Sequence, residues 1–256
     1  MSIPKIIHYC WFGGKPKPEL AQKCIQSWKK HCPDYEIIEW NEGNFDLDAA
    51  PQYVQDARKE GRWAFVTDYV RLCALVGRGG VYLDTDVEVI KPLDGFLHHR
   101  AFAGFEAPDR VQTGLLACAP SFALFDDFLR HYDTASFYHS DGSIDTTTNV
   151  QVLTDLCAQR GLTRNDTLQT VDGLSIYPRE YFCPVDFDTR KLKKTRKTVV
   201  IHWFSGSWHT QQELEQLELE RRQQRAERNS NLRVAIGTRL LGEKGYGVLK
   251  KILKRN

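Results

Sequence analysis

The stretch Trp63-Ala-Phe-Val-Thr-Asp68-Tyr-Val-Arg71-Leu-Cys-Ala-Leu-Val-Gly77-Arg-Gly79-Gly80-Val81-Tyr82-Leu-Asp84-Thr-Asp86-Val-Glu-Val89 changes its period half-way. Residues 63–76 carry aromatic and aliphatic side chains at helical spacing, and Gly77 with Gly79-Gly80 supplies the glycine on which helices commonly stop. Residues 81–89 then read as a strand. On such a strand Asp84 and Asp86 point to one side, with their Cα atoms about 7 Å apart. Two carboxylates that close repel unless a cation lies beside them. A hard divalent ion, Mn²⁺ or Mg²⁺, answers this when its remaining positions go to water and a diphosphate. A bare Asp-x-Asp also arises where acids cap a turn or face solvent, so the flanking sequence has to decide.

Upstream, Asp68 and Arg71 stand at i and i+3, which brings a carboxylate and a guanidinium out side by side. A guanidinium fork suits phosphate or sugar hydroxyls, and an Asp takes two hydroxyls at once; the pair also reads as a surface ion pair. Nearer the N-terminus, residues 5–11 form a β-type run ending in Trp11-Phe12-Gly13-Gly14, where an indole beside permissive backbone is placed to stack a nucleotide base. Residues 19–31 have helical spacing with Leu20, Cys24 and Trp28 on one face, and residues 35–40 are a second strand. Trp28 and Trp40 fit core positions, and His98-His99 reads as an exposed loop pair. Downstream, the β-run Val199-Val-Ile-His202 leads into Trp-Phe-Ser205-Gly-Ser207-Trp208, so an imidazole, a hydroxyl and an indole converge. Neutral His202 would complete a metal shell with the two acids; as a lone histidine it also fits a structural role. Strand, helix, strand, helix, strand in this order argues for an α/β sandwich with a largely parallel sheet, whose ligand crevice lies at the C-terminal ends of the strands.

Composition narrows the function classes. The 256 residues are 41% hydrophobic and 27% charged, enough for a sizeable core. A formal net charge of +2 gives no support to a nucleic-acid partner. No uncharged stretch, residues 111–125 included, reaches the roughly 18 apolar residues of a membrane span. The opening segment holds no secretory h-region, and the seven cysteines have neither zinc-site nor disulfide-framework spacing; both readings predict a cytoplasmic chain with reduced thiols. Charge is uneven: the last 36 residues carry +9 and the first 220 carry −7. Leu232, Ile236 and Leu240, then Val248, Leu249, Ile252 and Leu253 among lysines, predict a basic amphipathic helical tail over residues 211–256 behind a catalytic domain over residues 1–210. Such a tail suits the anionic inner face of a membrane or packing on the body. The basic run from Arg190 to Lys197 suits phosphate or solvent.

Taken in order, Ile3-Pro-Lys-Ile-Ile-His8-Tyr-Cys-Trp11-Phe-Gly-Gly14, Ala64-Phe-Val-Thr-Asp68-Tyr-Val-Arg71, Gly79-Gly-Val-Tyr82-Leu-Asp84-Thr-Asp86 and His202-Trp-Phe-Ser-Gly-Ser207-Trp208 resemble the D-x-D sugar-nucleotide glycosyltransferases of family 32. That group holds bacterial capsular and lipopolysaccharide transferases and yeast-type initiating mannosyltransferases, and its core is similar to the glycosylating domain of large clostridial toxins. The resemblance implies a GT-A fold, Mn²⁺ or Mg²⁺, and retaining transfer of a hexose or N-acetylhexosamine from a nucleoside-diphosphate sugar. The donor it suggests is UDP-linked, and the acceptor a saccharide or lipid-linked saccharide of bacterial surface polysaccharide or lipopolysaccharide synthesis.

Carried over by motif position, Trp11 would stack on the base, Asp68 and Arg71 would hold the donor sugar, and Tyr82 would lie against it. Asp84 would contact the ribose or the metal, Asp86 would ligate the metal with His202 beside it, and Ser207 and Trp208 would meet the diphosphate. Where many relatives carry Gly-Pro this chain has Thr147-Thr148-Asn149-Val150, with Asn149 the acceptor-side candidate. Three rivals are a glycosidase, a metal-dependent carbohydrate-binding module and a toxin-like protein glycosyltransferase. Hydrolysis needs its two acids on opposite faces of a sugar ring, which two acids leaving one strand on the same side do not provide.

Overall fold

A computed structural model of the chain describes residues 2–206 except 188, together with 215, 216, 219, 223 and 226. The first strand, β1 (Ile6–Cys10), is apolar enough to be central and pairs on both sides. Helix α1 (Glu19–His31) follows Pro18 and buries Ala21, Cys24, Ile25 and Trp28, the 3–4 spacing of an amphipathic helix, while Leu20 stays half-buried. Burying Trp28 completely contributes about 1.5–3 kcal/mol, as for other large apolar side chains. The chain continues through β2 (Glu36–Trp40), α2 (Gln52–Lys59) and α3 (Trp63–Arg78). Helix α3 ends on Gly79 at φ +65°, in the left-handed region, where a Cβ would stand 2.6 Å from Pro120 Cδ. The helix therefore stops where the glycines predict.

Next come β3 (Gly80–Leu83), β4 (Val87–Val89), β5 (Ala101–Ala107), β6 (Arg110–Val111), β7 (Leu115–Cys118) and α4 (Ala123–Thr134). Then α5 (Asn149–Ala158), β8 (Gln169–Val171), β9 (Leu174–Tyr177), α6 (Arg179–Phe182) and β10 (Val200–His202) complete the described elements. The main sheet runs β2-β1-β3-β7-β5-β9-β8, with β6 paired to β5. Strands β2, β1, β3, β5 and β9 share one direction, and β7 and β8 reverse it, so the sheet is mixed and largely parallel. Alternation along β3 feeds two cores: Tyr82 faces the side packed by α3 and α4, and Val81 and Leu83 face the side packed by α1 and β4. The α/β sandwich expected from the element order is the one observed.

Two expectations fail. Residues 81–89 are not a continuous strand: β3 ends at Leu83, a tight turn follows in which the Val87 amide donates to the Asp84 carbonyl (3.0 Å), and β4 leaves the main sheet. β4 pairs instead with β10, antiparallel, with Val87 opposite His202. The break is fixed from outside, because the Trp28 indole N–H donates to the Val87 carbonyl (2.7 Å) and holds β4 on α1. His98-His99 is a second, smaller departure: His98 is exposed, but His99 is half-buried between Ser175 and Tyr177.

The seven cysteines are free thiols, six of them buried. Among the described residues no helix is long and apolar enough to cross a membrane. The chain divides into two compact units, Met1–Trp208 and His209–Asn256. The helical tail expected over residues 211–256 lies outside the described residues apart from 215, 216, 219, 223 and 226, which are helical and exposed.

Candidate metal and donor site

At the C-terminal end of β3 the turn does what the strand reading attributed to alternation, which is to turn both carboxylates to one place. Ligand atoms of Asp84, Asp86 and His202 lie within 4.8 Å of one another. His202 arrives through the β10–β4 pairing, directly opposite the residue that follows Asp86. Its Nε2 stands 3.4 Å from Asp86 Oδ1. The loop after β10 closes over the same acid: the Trp203 amide donates to the Asp86 carbonyl (3.0 Å), and the Ser205 amide (2.6 Å) and hydroxyl (3.0 Å) both donate to Asp86 Oδ2. Burial opposes the charge on Asp86, but His202 and these Ser205 donors outweigh it and hold the carboxyl at about 2. Burial likewise opposes a proton on His202, and the Asp86 carboxylate overrides it, raising the imidazole well above its ordinary range.

Asp84 is held from the opposite side. The Tyr82 hydroxyl donates to Asp84 Oδ1 (2.9 Å), and Arg71 Nη1 lies 3.4 Å from the same oxygen. The two residues reach it from one layer, since Tyr82 and the inner face of α3 share a side of the sheet, with the guanidinium 4.6 Å over the Tyr82 ring. Arg71 is only 4% exposed and its nitrogens meet protein acceptors: Thr67 O (3.2 Å), Thr113 O (2.9 Å) and Asp68 Oδ1 (2.8 Å). The surface ion pair is thereby excluded, and the guanidinium works in this structure as an organiser of two carboxylates. Asp68 is buried, and burial together with the nearby Asp84 charge pushes its carboxyl up to about 7, against the pull of Arg71 and of a hydrogen bond from Asn149. One guanidinium shared by two carboxylates leaves the more buried one under-compensated.

Asn149 joins this network. It is the first residue of α5, where the Thr148 hydroxyl caps the helix, and its Nδ2 donates to Asp68 Oδ1 (2.5 Å) while its Oδ1 accepts from the Thr113 hydroxyl (2.9 Å). Trp11, just past β1, is half-buried with its indole N–H donating to Lys15 O (2.6 Å) and the Lys17 ammonium 5.7 Å over its ring. Among the described residues no contact joins Trp11 to the acidic cluster. Trp28 is core as expected, and Trp40 is half-buried with its indole donating to His8 (3.1 Å). Ser207 and Trp208 lie outside the described residues.

Three residues of the site were not singled out from sequence. Ser205 sits inside the quoted His202 motif, but nothing in the spacing distinguished it from Ser207. Thr113 and Gly114 precede β7 in a stretch with no charged group to draw attention. Gly114 matters most: a Cβ there would stand 3.0 Å from His202 Nδ1 and 3.1 Å from Asp84 Oδ2, in the space between the two. Among the described residues that Nδ1 is buried without a hydrogen-bond partner. Two carboxylates, an imidazole with an orphaned nitrogen and a cradle that any side chain at 114 would fill make a donor set suited to Mn²⁺ or Mg²⁺.

Residues 18–103 match the family model described as "Glycosyltransferase sugar-binding region containing DXD motif". Inositol phosphoceramide mannosyltransferase 3 of Schizosaccharomyces pombe is 27% identical over 146 residues, 54% of this chain and 40% of that protein. Glucan organizing enzyme 1 of Cryptococcus neoformans var. grubii is 30% identical over 167 residues, 52% of this chain and 45% of that protein. The matches thus take in less than half the length of either relative. Among solved structures, the PaToxG glycosyltransferase superposes with a TM-score of 0.47 at 16% identity, covering 62% of this chain and 70% of that one. The galactosyltransferase LgtC, with donor and acceptor sugar analogues, superposes with a TM-score of 0.40 at 14% identity, covering 80% and 90%. Trp11 and His202 fall outside the family match, whereas Asp68, Arg71, Tyr82, Asp84 and Asp86 fall inside it. Residues 18–103, about a third of the chain, are thus similar to the sugar-binding region of glycosyltransferases that contain the DXD motif.

Proposed function

We propose that this protein transfers a hexosyl group from a nucleoside-diphosphate sugar to a saccharide acceptor, with Asp86, His202 and Asp84 holding a divalent metal. The observation that carries the reading is the convergence of these three side chains at the mouth of the sheet. When bound, the ion would supply positive charge where a departing diphosphate develops negative charge. The chain's own residues do the rest. Asp86 and His202 are held by the loop after β10, Arg71 and Tyr82 orient Asp84, and Asp68 presents a carboxylate whose Oδ2 makes no hydrogen bond among the described residues, free for donor hydroxyls. Trp11 would stack the base, with Ser207 and Trp208 reaching the diphosphate. Asn149 is tied to Asp68 and so belongs to the donor-sugar corner as much as to the acceptor side.

A rate enhancement of only about 10⁶ requires about 8 kcal/mol off the barrier, more than one aromatic stack supplies, so electrostatics at the leaving group must dominate. These residues offer no evident nucleophile on the sugar's far side. Retention follows the family resemblance, and with no such nucleophile the route proposed for it is front-face transfer, the leaving phosphate taking the acceptor's proton. A UDP-linked donor and a surface-polysaccharide or lipopolysaccharide acceptor follow the family resemblance. The name of the Schizosaccharomyces pombe relative, an inositol phosphoceramide mannosyltransferase, favours a second reading of the same site, with a mannosyl donor and a lipid-linked acceptor. The proposed setting is the cytoplasmic face of a membrane, with the basic tail on its anionic lipids and no nucleic-acid partner.

The test is a hydrolysis and binding screen of UDP- and GDP-sugars, with and without Mn²⁺. Metal-dependent release of free sugar and metal-dependent nucleotide affinity support transfer. Calorimetric binding of free sugars with indifference to nucleotides would instead identify a carbohydrate-binding module. Near wild-type turnover in both Asp84→Asn and Asp86→Asn would remove the metal site from the mechanism.

A further inference from the structure

Between α6 and β10 the chain builds a hairpin that the transfer reading does not use. Val185 and Leu192 bridge antiparallel, the Asp186 amide donates to Lys191 O (3.0 Å), and the Lys193 amide donates to Pro184 O (2.9 Å). Asp186 accepts from the Thr189 amide (2.8 Å) and hydroxyl (2.7 Å), which shapes the turn. The hairpin has two surface properties that seldom coincide by accident. Residues 190–197 hold six Lys and Arg and no acid. Of these, Lys191, Lys193, Lys194 and Arg196 are exposed and make no ion pair among the described residues, in contrast to Lys197, which pairs with Glu180 (2.8 Å). The same hairpin also exposes Leu192 (42%) and Phe187 (39%), two of the four large hydrophobic side chains exposed among the described residues.

It is also coupled to the candidate site. Phe187 meets Phe204 edge to face at 5.2 Å, and Phe204 lies 4.1 Å from the His202 ring. The Arg190 guanidinium stands over both phenylalanines, at 5.3 and 5.7 Å, and its Nη1 reaches Trp203 O (3.4 Å). The hairpin thus leans on the loop that delivers His202 and Ser205 to Asp86.

We propose that this hairpin docks on an anionic lipid membrane, with Leu192 and the exposed part of Phe187 entering the headgroup boundary and Lys191, Lys193, Lys194 and Arg196 lying against the lipid phosphates. Cations alone would suit any polyanion; cations interleaved with exposed apolar side chains match the layered chemistry of a bilayer interface. The contact holds the mouth of the sheet toward the lipid surface, where a lipid-linked acceptor presents its sugar. It is a surface of the folded body, carried by the hairpin between α6 and β10.

Flotation with vesicles of phosphatidylcholine, with and without phosphatidylglycerol, tests this on the full chain and needs no turnover, so it can fail while the transfer reading stands, or the reverse. Each cation near an anionic surface is worth about fivefold, so replacing Lys191, Lys193, Lys194 and Arg196 together by Gln lowers partitioning onto the anionic vesicles by about 100-fold or more. Leu192→Ser lowers it further without changing its salt dependence. Hydrogen exchange across residues 185–197 slows on anionic vesicles in the wild-type chain. Unchanged partitioning in the four-fold variant, or binding without protection of residues 185–197, assigns membrane attachment elsewhere and overturns the proposal. So does heparin binding by the hairpin with no affinity for anionic vesicles, which would point to a soluble polyanion.

Discussion

The two acids of the motif stand two residues apart and are held by opposite means. Asp84 is fixed from within the sheet layer, by Tyr82 and by Arg71, whose own nitrogens are shared with Asp68, Thr67 and Thr113. Asp86 is fixed from more than 100 residues away, by His202, Trp203 and Ser205 on the segment that closes the described fold. The first acid belongs to a buried network that exists as soon as α3 packs on the sheet. The second acquires its partners only when β10 pairs with β4. Cores tolerate little rearrangement, whereas a loop held by a three-residue strand opens locally at low cost. The donor-sugar corner is therefore expected to be preformed, and the metal corner to close last.

Breaking the preformed side should have the largest effect. Arg71→Met leaves the buried Asp68 and the half-buried Asp84 beside no guanidinium, and a loss of about 3–5 kcal/mol in denaturant stability is expected. A melt within about 1 kcal/mol of wild type would show that Arg71 is not the organiser the contacts indicate. On the other side, Asp86→Asn should cost about 10²–10³-fold in metal-dependent donor turnover, the scale of removing one preorganised electrostatic group, with a smaller loss of stability than Arg71→Met. Donor turnover compared at matched Mn²⁺ decides it, and an equal loss of stability would erase the contrast between the two acids.

Gly114→Ala sharpens the comparison because the added Cβ would stand 2.8 Å from His202 Cε1 and 3.1 Å from Asp84 Oδ2. Overpacking of this kind costs about 1–3 kcal/mol, and here it should appear mainly as weakened Mn²⁺ affinity by calorimetry, with a smaller shift in melting. The smallest effect is a slope. The Asp68 carboxyl is raised from 3.8 to about 7, so the folded protein holds a proton there that the unfolded chain has released. Its contribution to stability is complete below pH 4 and is lost as pH rises toward 7. Stability measured by denaturant across that window should fall with pH in the wild-type chain relative to Asp68→Asn. Parallel curves would mean that Arg71 keeps Asp68 ionised throughout.

Much of this was legible along the chain. The helix over residues 19–31, the glycine stop after α3 and the β-run ending at His202 all follow from period and breaker residues, which are local properties. The strand over 81–89 was misread for the same reason: its alternation is continuous, and the interruption comes from Trp28, which bonds Val87 across 59 positions. Asn149 carried only a weak acceptor-side signal, and its bond to Asp68 spans 81 positions. Thr113, Gly114 and Ser205 are small, uncharged residues whose importance lies in what approaches them, and no spacing rule marks them.

Sequence alone therefore determined the layer architecture, the order of the motifs and the pairing of acids at the end of β3, because hydrophobic period and turn chemistry are set within a few residues. Tertiary structure decided which groups those acids meet. A buried guanidinium shared by two carboxylates, an imidazole brought in by an off-sheet strand pair, and the missing Cβ between them are long-range consequences of packing. Their energies depend on burial and on distance, and neither quantity exists until the chain has closed.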